Sequence, residues 1–178
     1  VAGGDRHWCR LAAIIGAGAR PAIVAVAFVR RGRYNIAMFI RLTPDISVAA
    51  QIAPEDCALA AAQGFVAIIS NRPDGEVPGQ PDAATMAVAA AAAGLRFRHI
   101  PIDHSGFAMP QVEAMAAELA AGGPVLAFCR SGTRSTNLWA LAAASMGVDP
   151  DTIVAAADAG GYDVSGMLPS LRMLAAKA

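Results

Sequence analysis

The segment Cys129-Arg130-Ser131-Gly132-Thr133-Arg134-Ser135 places a thiol five positions before an arginine, with mostly small polar residues between them. It directly follows the apolar run Pro124-Val125-Leu126-Ala127-Phe128 and leads into Thr136-Asn137-Leu138-Trp139-Ala140-Leu141. The thiol is therefore expected where a buried strand ends and a helix begins. The first turn of a helix carries unpaired N–H groups and the positive end of the macrodipole, so it holds anions. The same field favours thiolate over thiol and moves a cysteine pKa from about 8.5 into a range of roughly 3.5–7.5. A nucleophile inside its own anion cradle points to covalent chemistry on an anionic group.

Two chemistries need this arrangement. In phosphoryl transfer the thiolate attacks phosphorus, loop amides and a bidentate arginine hold the oxygens, and an acid protonates the leaving group. In sulfur transfer the thiolate takes a sulfane sulfur from thiosulfate or a persulfide, and no acid is required. Under either reading Cys129 is the nucleophile, and Arg134 is the oxyanion clamp because of its fork of donors. Arg130 either steers an anionic donor or points to solvent. Ser131, Gly132 and Thr133 are expected to supply backbone N–H groups, with Gly132 permitting an unusual backbone angle or a close ligand. The Ser135 hydroxyl is expected to bond the thiolate, cap the following helix, or both. Arg72 either reaches the site or pairs with Asp74 or Glu76.

These residues need elements to position them. Asp45–Gln51 reads as a short strand, and Pro54-Glu55-Asp56 opens a helix that ends at Gln63-Gly64. Phe65–Ser70 reads as a buried strand. A loop rich in proline and glycine, Asn71–Pro81, follows it. Asp82 caps an alanine-rich helix closed by Gly94, and Leu95–Ile100 is a further strand. The loop Pro101–Gly106 leads to a helix from about Pro110 to Ala121. Beyond the cysteine loop the chain reads as helical, with a break at Gly160-Gly161-Tyr162 and a last helix near Met167–Ala176. Alternating strands and helices predict an α/β fold around a mainly parallel sheet, with the site at the carboxyl ends of its strands. Asn71–Asp74, Ile102–Ser105 and the cysteine loop should converge there. Cys57, Trp139 and Met146 read as core, His99 as a hydrogen-bonded structural residue and His104 as a surface residue.

Composition narrows the classes further. The net charge is zero, but residues 1–37 hold six arginines against the single acid Asp5, which leaves an acidic remainder. An acidic body without a basic patch argues against a nucleic-acid partner. The three cysteines, Cys9, Cys57 and Cys129, are far apart, with no C-x-x-C and no histidine pairing at zinc spacing. No metal or other cofactor is expected, and the sparse, odd count fits a reducing, cytoplasmic setting. Residues 1–37 are expected to be an extension, disordered or non-native. Their apolar stretch 11–29 is an alternative membrane segment, although Arg20-Pro21 interrupts it, and a cleaved signal is the third reading. Residues 38–178 are then the catalytic domain.

Residues from about Arg41 to Leu174 resemble the phosphatase-like domain family of beta-lactamase hydrolase-like proteins. The words that carry the resemblance are Arg41-Leu42-Thr43-Pro44-Asp45, Gln51-Ile52-Ala53-Pro54-Glu55-Asp56, Asn71-Arg72-Pro73-Asp74-Gly75-Glu76 with Pro78-Gly79-Gln80-Pro81, His99-Ile100-Pro101, and the cysteine loop itself. The resemblance implies a fold like that of the dual-specificity phosphatases. It also implies phosphatase or sulfurtransferase activity and, because some members are joined to such domains, a sulfur-oxidising dioxygenase partner. It puts Asp103 where those phosphatases carry their general acid, in a slightly different register. Cysteine phosphatases usually carry C-x5-R, whereas Cys129 to Arg134 is C-x4-R, and the loop also resembles that of small rhodaneses. The shorter loop favours sulfur transfer through a Cys129 persulfide. The alternative is a phosphatase acting through a Cys129 phosphocysteine, and a non-catalytic regulatory module stands behind both.

Overall fold

The computed structural model describes residues 39–178, so the extension 1–37, its stretch 11–29 and Cys9 lie outside the described residues. Strands β1 (Ile40–Arg41), β2 (Ile46–Ala49), β3 (Ala67–Ser70), β4 (Arg96–His99) and β5 (Val125–Phe128) form a sheet of order β1-β2-β5-β3-β4. The pairs β2–β5, β5–β3 and β3–β4 are parallel, and only the edge pair β1–β2 is antiparallel. The fold is therefore α/β with a mainly parallel sheet, as the alternation of elements predicts. β1 was not expected. It is two residues long and partly exposed, too short to leave a periodic signal, and it pairs because the chain turns back at once, with Leu42 N–H donating to the Ile46 carbonyl.

Helices α1 (Asp56–Ala62) and α2 (Ala83–Ala92) cover one face, where Cys57, Ala60, Met86 and Ala90 pack on Ile68, Leu126 and Phe128. Helices α3 (Met109–Ala120), α4 (Thr133–Ser145), α5 (Pro150–Ala159) and α6 (Leu168–Ala175) cover the other. There Val112, Met115, Leu138, Ile153 and Leu171 meet Val48, Ile69, Val125 and Ala127. Alternate residues of β5 thus face opposite helical layers, which explains why a central parallel strand reads as an unbroken apolar run. Burying a side chain such as Phe128 or Leu138 contributes about 1.5–3 kcal/mol.

α4 is the most enclosed helix. Leu138 to Ala144 is buried without interruption, and the small alanines let neighbouring elements approach. Trp139 is in the core as expected. Met146 is not: it lies at the C-cap of α4, past the buried turn, and is 46% exposed. Cys57 is fully buried, and burial pushes its thiol pKa up.

Register brings the loops together. Ala49, Ser70 and His99 stand level with, or one strand removed from, Phe128 at the carboxyl edge of the sheet. The chain leaving each strand therefore emerges at one edge. Gln51, Arg72, Ile102 and Cys129 all follow within three residues of a strand end, and this edge holds the site.

Candidate active site

Cys129 is the first residue after β5 and has no solvent exposure. Gly132 ends the loop as the N-cap of α4 with a φ of +91°, a conformation glycine reaches without steric cost. α4 starts at Thr133, three residues earlier than the sequence suggests, because this single reversal turns the loop directly into the helix. Thr136 N–H and Oγ1 both donate to the Gly132 carbonyl, at 2.9 and 3.0 Å, and lock the first turn.

The N–H of Gly132 donates to Cys129 Sγ at 3.1 Å. Burial raises the thiol pKa. The backbone N–H groups of Ser135, Ser131, Arg134 and Gly132 outweigh it and hold the thiol below its ordinary value. The cradle expected from Ser131, Gly132 and Thr133 is thus displaced along the chain, since the first helical turn supplies two of its donors. Thr133 instead places Oγ1 3.1 Å from Ser131 Oγ, at the exposed rim. The Ser135 hydroxyl makes neither expected bond: Oγ is buried and has no hydrogen-bond partner among the described residues. Its backbone is what contributes. Arg130 is exposed at the rim.

Arg134 is held on its far side. Its Nη1 donates to Glu76 Oε1 at 2.6 Å and to the Ile102 carbonyl at 2.7 Å, and Nη2 donates to Glu76 Oε2 at 3.1 Å. A guanidinium has five N–H donors. Three are used here, which leaves Nε–H and one Nη2–H side by side on the remaining edge. The pairing with Glu76 raises the arginine pKa, and the negative charge of Cys129 raises it further. Reciprocally, Arg134 first and Arg72 next lower the Glu76 carboxyl to about 2, against some opposing burial.

Arg72 does not take a place beside the thiol. Its Nε donates to Glu76 at 2.7 Å and its Nη1 to Gln51 Oε1 at 2.9 Å, so it braces the carboxylate that braces Arg134. His99 Nε2 lies 2.9 Å from the Arg72 carbonyl, and since a carbonyl only accepts, that nitrogen is the donor. This is the structural role expected of His99. Asn71 ties the same loop to its neighbour by donating from Nδ2 to the Ile100 carbonyl at 3.0 Å.

Asp103 follows the residue whose carbonyl docks on Arg134, so its loop borders the site. Its own carboxylate is exposed and turned to Ser105, accepting from N–H at 2.8 Å and from Oγ at 2.6 Å. Those bonds lower its pKa and favour the ionised form. His104 is exposed, as expected.

The pairing of Arg72 with Glu76 was one of the alternatives expected, but sequence reasoning missed the hold of Glu76 on Arg134, and it missed Gln51, the Ile102 carbonyl and Tyr162. Glu76 and Gln51 lie inside the words that carried the family resemblance, and that was their available signal. Tyr162 had only the preceding Gly-Gly break. Its Oη donates to the Ser131 carbonyl at 3.2 Å. The arrangement offers a buried low-pKa thiol, convergent N–H groups and an arginine edge, a set suited to covalent attack on a small oxyanion group.

Comparison with known proteins places this geometry. A model of the phosphatase-like domain of beta-lactamase hydrolase-like protein matches residues 38–146. A beta-lactamase hydrolase-like protein of Agrobacterium fabrum is 38% identical over 103 residues, which cover 57% of this chain and 24% of that one. The chain thus matches about a quarter of the length of that curated relative. A solved structure from Neisseria meningitidis, described as a proposed phosphatase, is 31% identical; the match covers 76% of this chain and 97% of that one, with a TM-score of 0.64. The crystal structure of PTPMT1 shares the fold at 16% identity, with a TM-score of 0.61 and coverage of 79% of this chain and 95% of that one. None of these descriptions is of a sulfurtransferase. With 31% identity along nearly the whole of one solved relative and a family match over most of the described domain, this chain belongs to the family of the phosphatase-like domain of beta-lactamase hydrolase-like proteins.

Proposed function

We propose that this domain hydrolyses phosphate monoesters through a Cys129 phosphocysteine. The observation that carries the reading is the donor arithmetic at Arg134. Glu76 and the Ile102 carbonyl occupy three of its N–H groups, which leaves one two-donor edge matched to two oxygens of a phosphoryl group. Membership of a phosphatase-like family, and a fold shared with phosphatases, support the same reading.

The chemistry then runs in two steps. The Cys129 thiolate forms an S–P bond as the P–O bond to the leaving group breaks. Arg134 and the N–H groups of the loop take up the charge on the phosphoryl oxygens. The leaving oxygen acquires a proton, a role we assign to Asp103, whose loop follows the Ile102 carbonyl bound to Arg134. In the resting arrangement Asp103 is held as carboxylate by Ser105, so proton delivery requires that contact to loosen when substrate is bound. In the second step water attacks phosphorus, the S–P bond breaks and the thiolate is restored. Asp103, now ionised, accepts the proton of the water. Inorganic phosphate leaves.

One observation favours sulfur transfer instead: the four-residue spacing from Cys129 to Arg134, which shortens the cradle. The two readings separate in one pair of assays. The full chain is expected to hydrolyse an aryl phosphate, and Cys129→Ser to abolish that hydrolysis. Transfer of sulfur from thiosulfate to cyanide without phosphate release would reverse the assignment.

A further inference from the structure

Tyr162 lies beyond the residues that the family model matches, and neither step above uses it. The end of α5 sets its position. α5 stops at Gly160, Gly161 reverses the chain at a φ of +82°, and the N–H of Tyr162 returns to the Ala157 carbonyl at 2.9 Å. This helix cap sets the half-buried ring against the larger core cluster. The Tyr162 hydroxyl then reaches the Ser131 carbonyl, and the hydroxyl and ring edge occupy the space that a Cβ on residue 132 would need.

The Ser131 carbonyl and the Gly132 N–H belong to one planar trans peptide, so they point in opposite directions. Fixing the carbonyl on Tyr162 fixes the N–H on the opposite side, and that N–H is the one donating to Cys129 Sγ at 3.1 Å. We propose that Tyr162 is a positioning residue for the cysteine loop, holding the Ser131–Gly132 peptide so that its N–H stays on the Cys129 sulfur. Glycine at 132 serves both ends of this contact, allowing the left-handed turn and leaving room for the phenol.

The surroundings agree with a hydroxyl that remains a donor. Burial first, and the charge of Cys129 second, push the Tyr162 pKa up. Besides Tyr162, the charged group facing the thiol is Arg134, with Glu76 behind it. Asp158 and Asp163 flank Tyr162 along the chain but are exposed, and Asp163 is occupied by the Ser165 N–H.

The inference rests on Cys129 being the reacting thiol, not on which atom it attacks. Its test therefore reads the thiol directly. In the full chain, the pH dependence of iodoacetamide alkylation at Cys129 is followed by peptide mass spectrometry for the native protein and for Tyr162→Phe, which keeps the ring and removes the donor. The expected result is an upward shift of the alkylation midpoint and a slowing at neutral pH of roughly 2–10-fold, the size of losing part of one hydrogen bond to a charged group. Thermal unfolding should be unchanged, and kcat for an aryl phosphate should fall with little change in KM. An unshifted midpoint, with or without a loss of rate, overturns the proposal. Gly132→Ala adds a second arm, since it should slow alkylation more with Tyr162 present than in a Tyr162→Ala background. Equal slowing in both contradicts the close contact.

Discussion

Glu76 grips Arg134 through two hydrogen bonds of 2.6 and 3.1 Å, although the two residues lie 58 positions apart in sequence. The carboxylate is itself held by Arg72, so a chain of charge-assisted bonds runs Gln51–Arg72–Glu76–Arg134 and ends beside Cys129. Removing a link should loosen the guanidinium without touching the thiol.

Glu76→Gln is accordingly expected to lower kcat/KM for an aryl phosphate by roughly 10–100-fold, equivalent to about 1.4–2.8 kcal/mol of transition-state stabilisation. Arg72→Ala, one bond further away, should cost less. Steady-state kinetics on both variants check the order. A larger loss from Arg72→Ala would mean that Arg72 meets the substrate itself.

The same carboxylate makes stability depend on acid. Its folded pKa of about 2 lies below the ordinary 4.5, so the native state binds the proton less readily than the unfolded chain. The stabilisation is fully present above about pH 4.5 and is lost as pH falls towards 2. Solvent screening of this partly exposed pair reduces it to on the order of 1–2 kcal/mol. Denaturant unfolding from neutral to acid pH should show a shallower decline for Glu76→Gln than for the native protein. Parallel declines would remove Glu76 as the source.

The two buried cysteines should separate by reactivity. Hydrogen bonds to the loop N–H groups lower the Cys129 thiol pKa, whereas burial and the charge of Asp56 raise that of Cys57. Alkylation of the folded protein at neutral pH should mark Cys129 and spare Cys57, which should react only on unfolding. Peptide mapping reads each site. Comparable labelling of both in the folded state would contradict the cradle.

Asp103→Asn tests the proton donor. Its effect should be large for esters with poor leaving groups and small for activated aryl phosphates, because only the former need protonation at departure. The bonds from Ser105 hold the carboxylate below its usual pKa, so Ser105→Ala should raise that pKa and move the alkaline limb of the rate profile, where the acid form is lost, to higher pH. Equal slowing of all esters by Asp103→Asn would remove it from proton transfer.

Much of the scaffold was legible because its signals are local. Asp82 accepts from Thr85 N–H as a helix cap, and Gly94 turns the chain at positive φ where the helix stops. The run from Val125 to Phe128 is buried on both faces, as its continuous apolarity demands. β1 escaped notice because a two-residue edge strand is made by its turn, not by a pattern. The thiol and its arginine were legible because they share one loop. The contact of Glu76 with Arg134, the Ile102 carbonyl and Tyr162 were not, because each reaches Arg134 or Ser131 across the fold, and a backbone carbonyl has no residue type to announce it. The spacing of the loop pointed towards sulfur, yet spacing alone does not reveal which N–H groups converge: Arg134 and Ser135 contribute from inside the first helical turn.

The central claim is that Cys129 carries phosphorus during turnover. Rapid acid quench of the full chain with an aryl phosphate, followed by peptide mass spectrometry under conditions that preserve a thiophosphate bond, reads it directly. The account predicts one phosphoryl group on the Cys129 peptide, absent without substrate and absent in Cys129→Ser. An unmodified Cys129 peptide during steady phosphate release, or a gain of one sulfur from thiosulfate with no phosphoryl adduct from any ester, would contradict it.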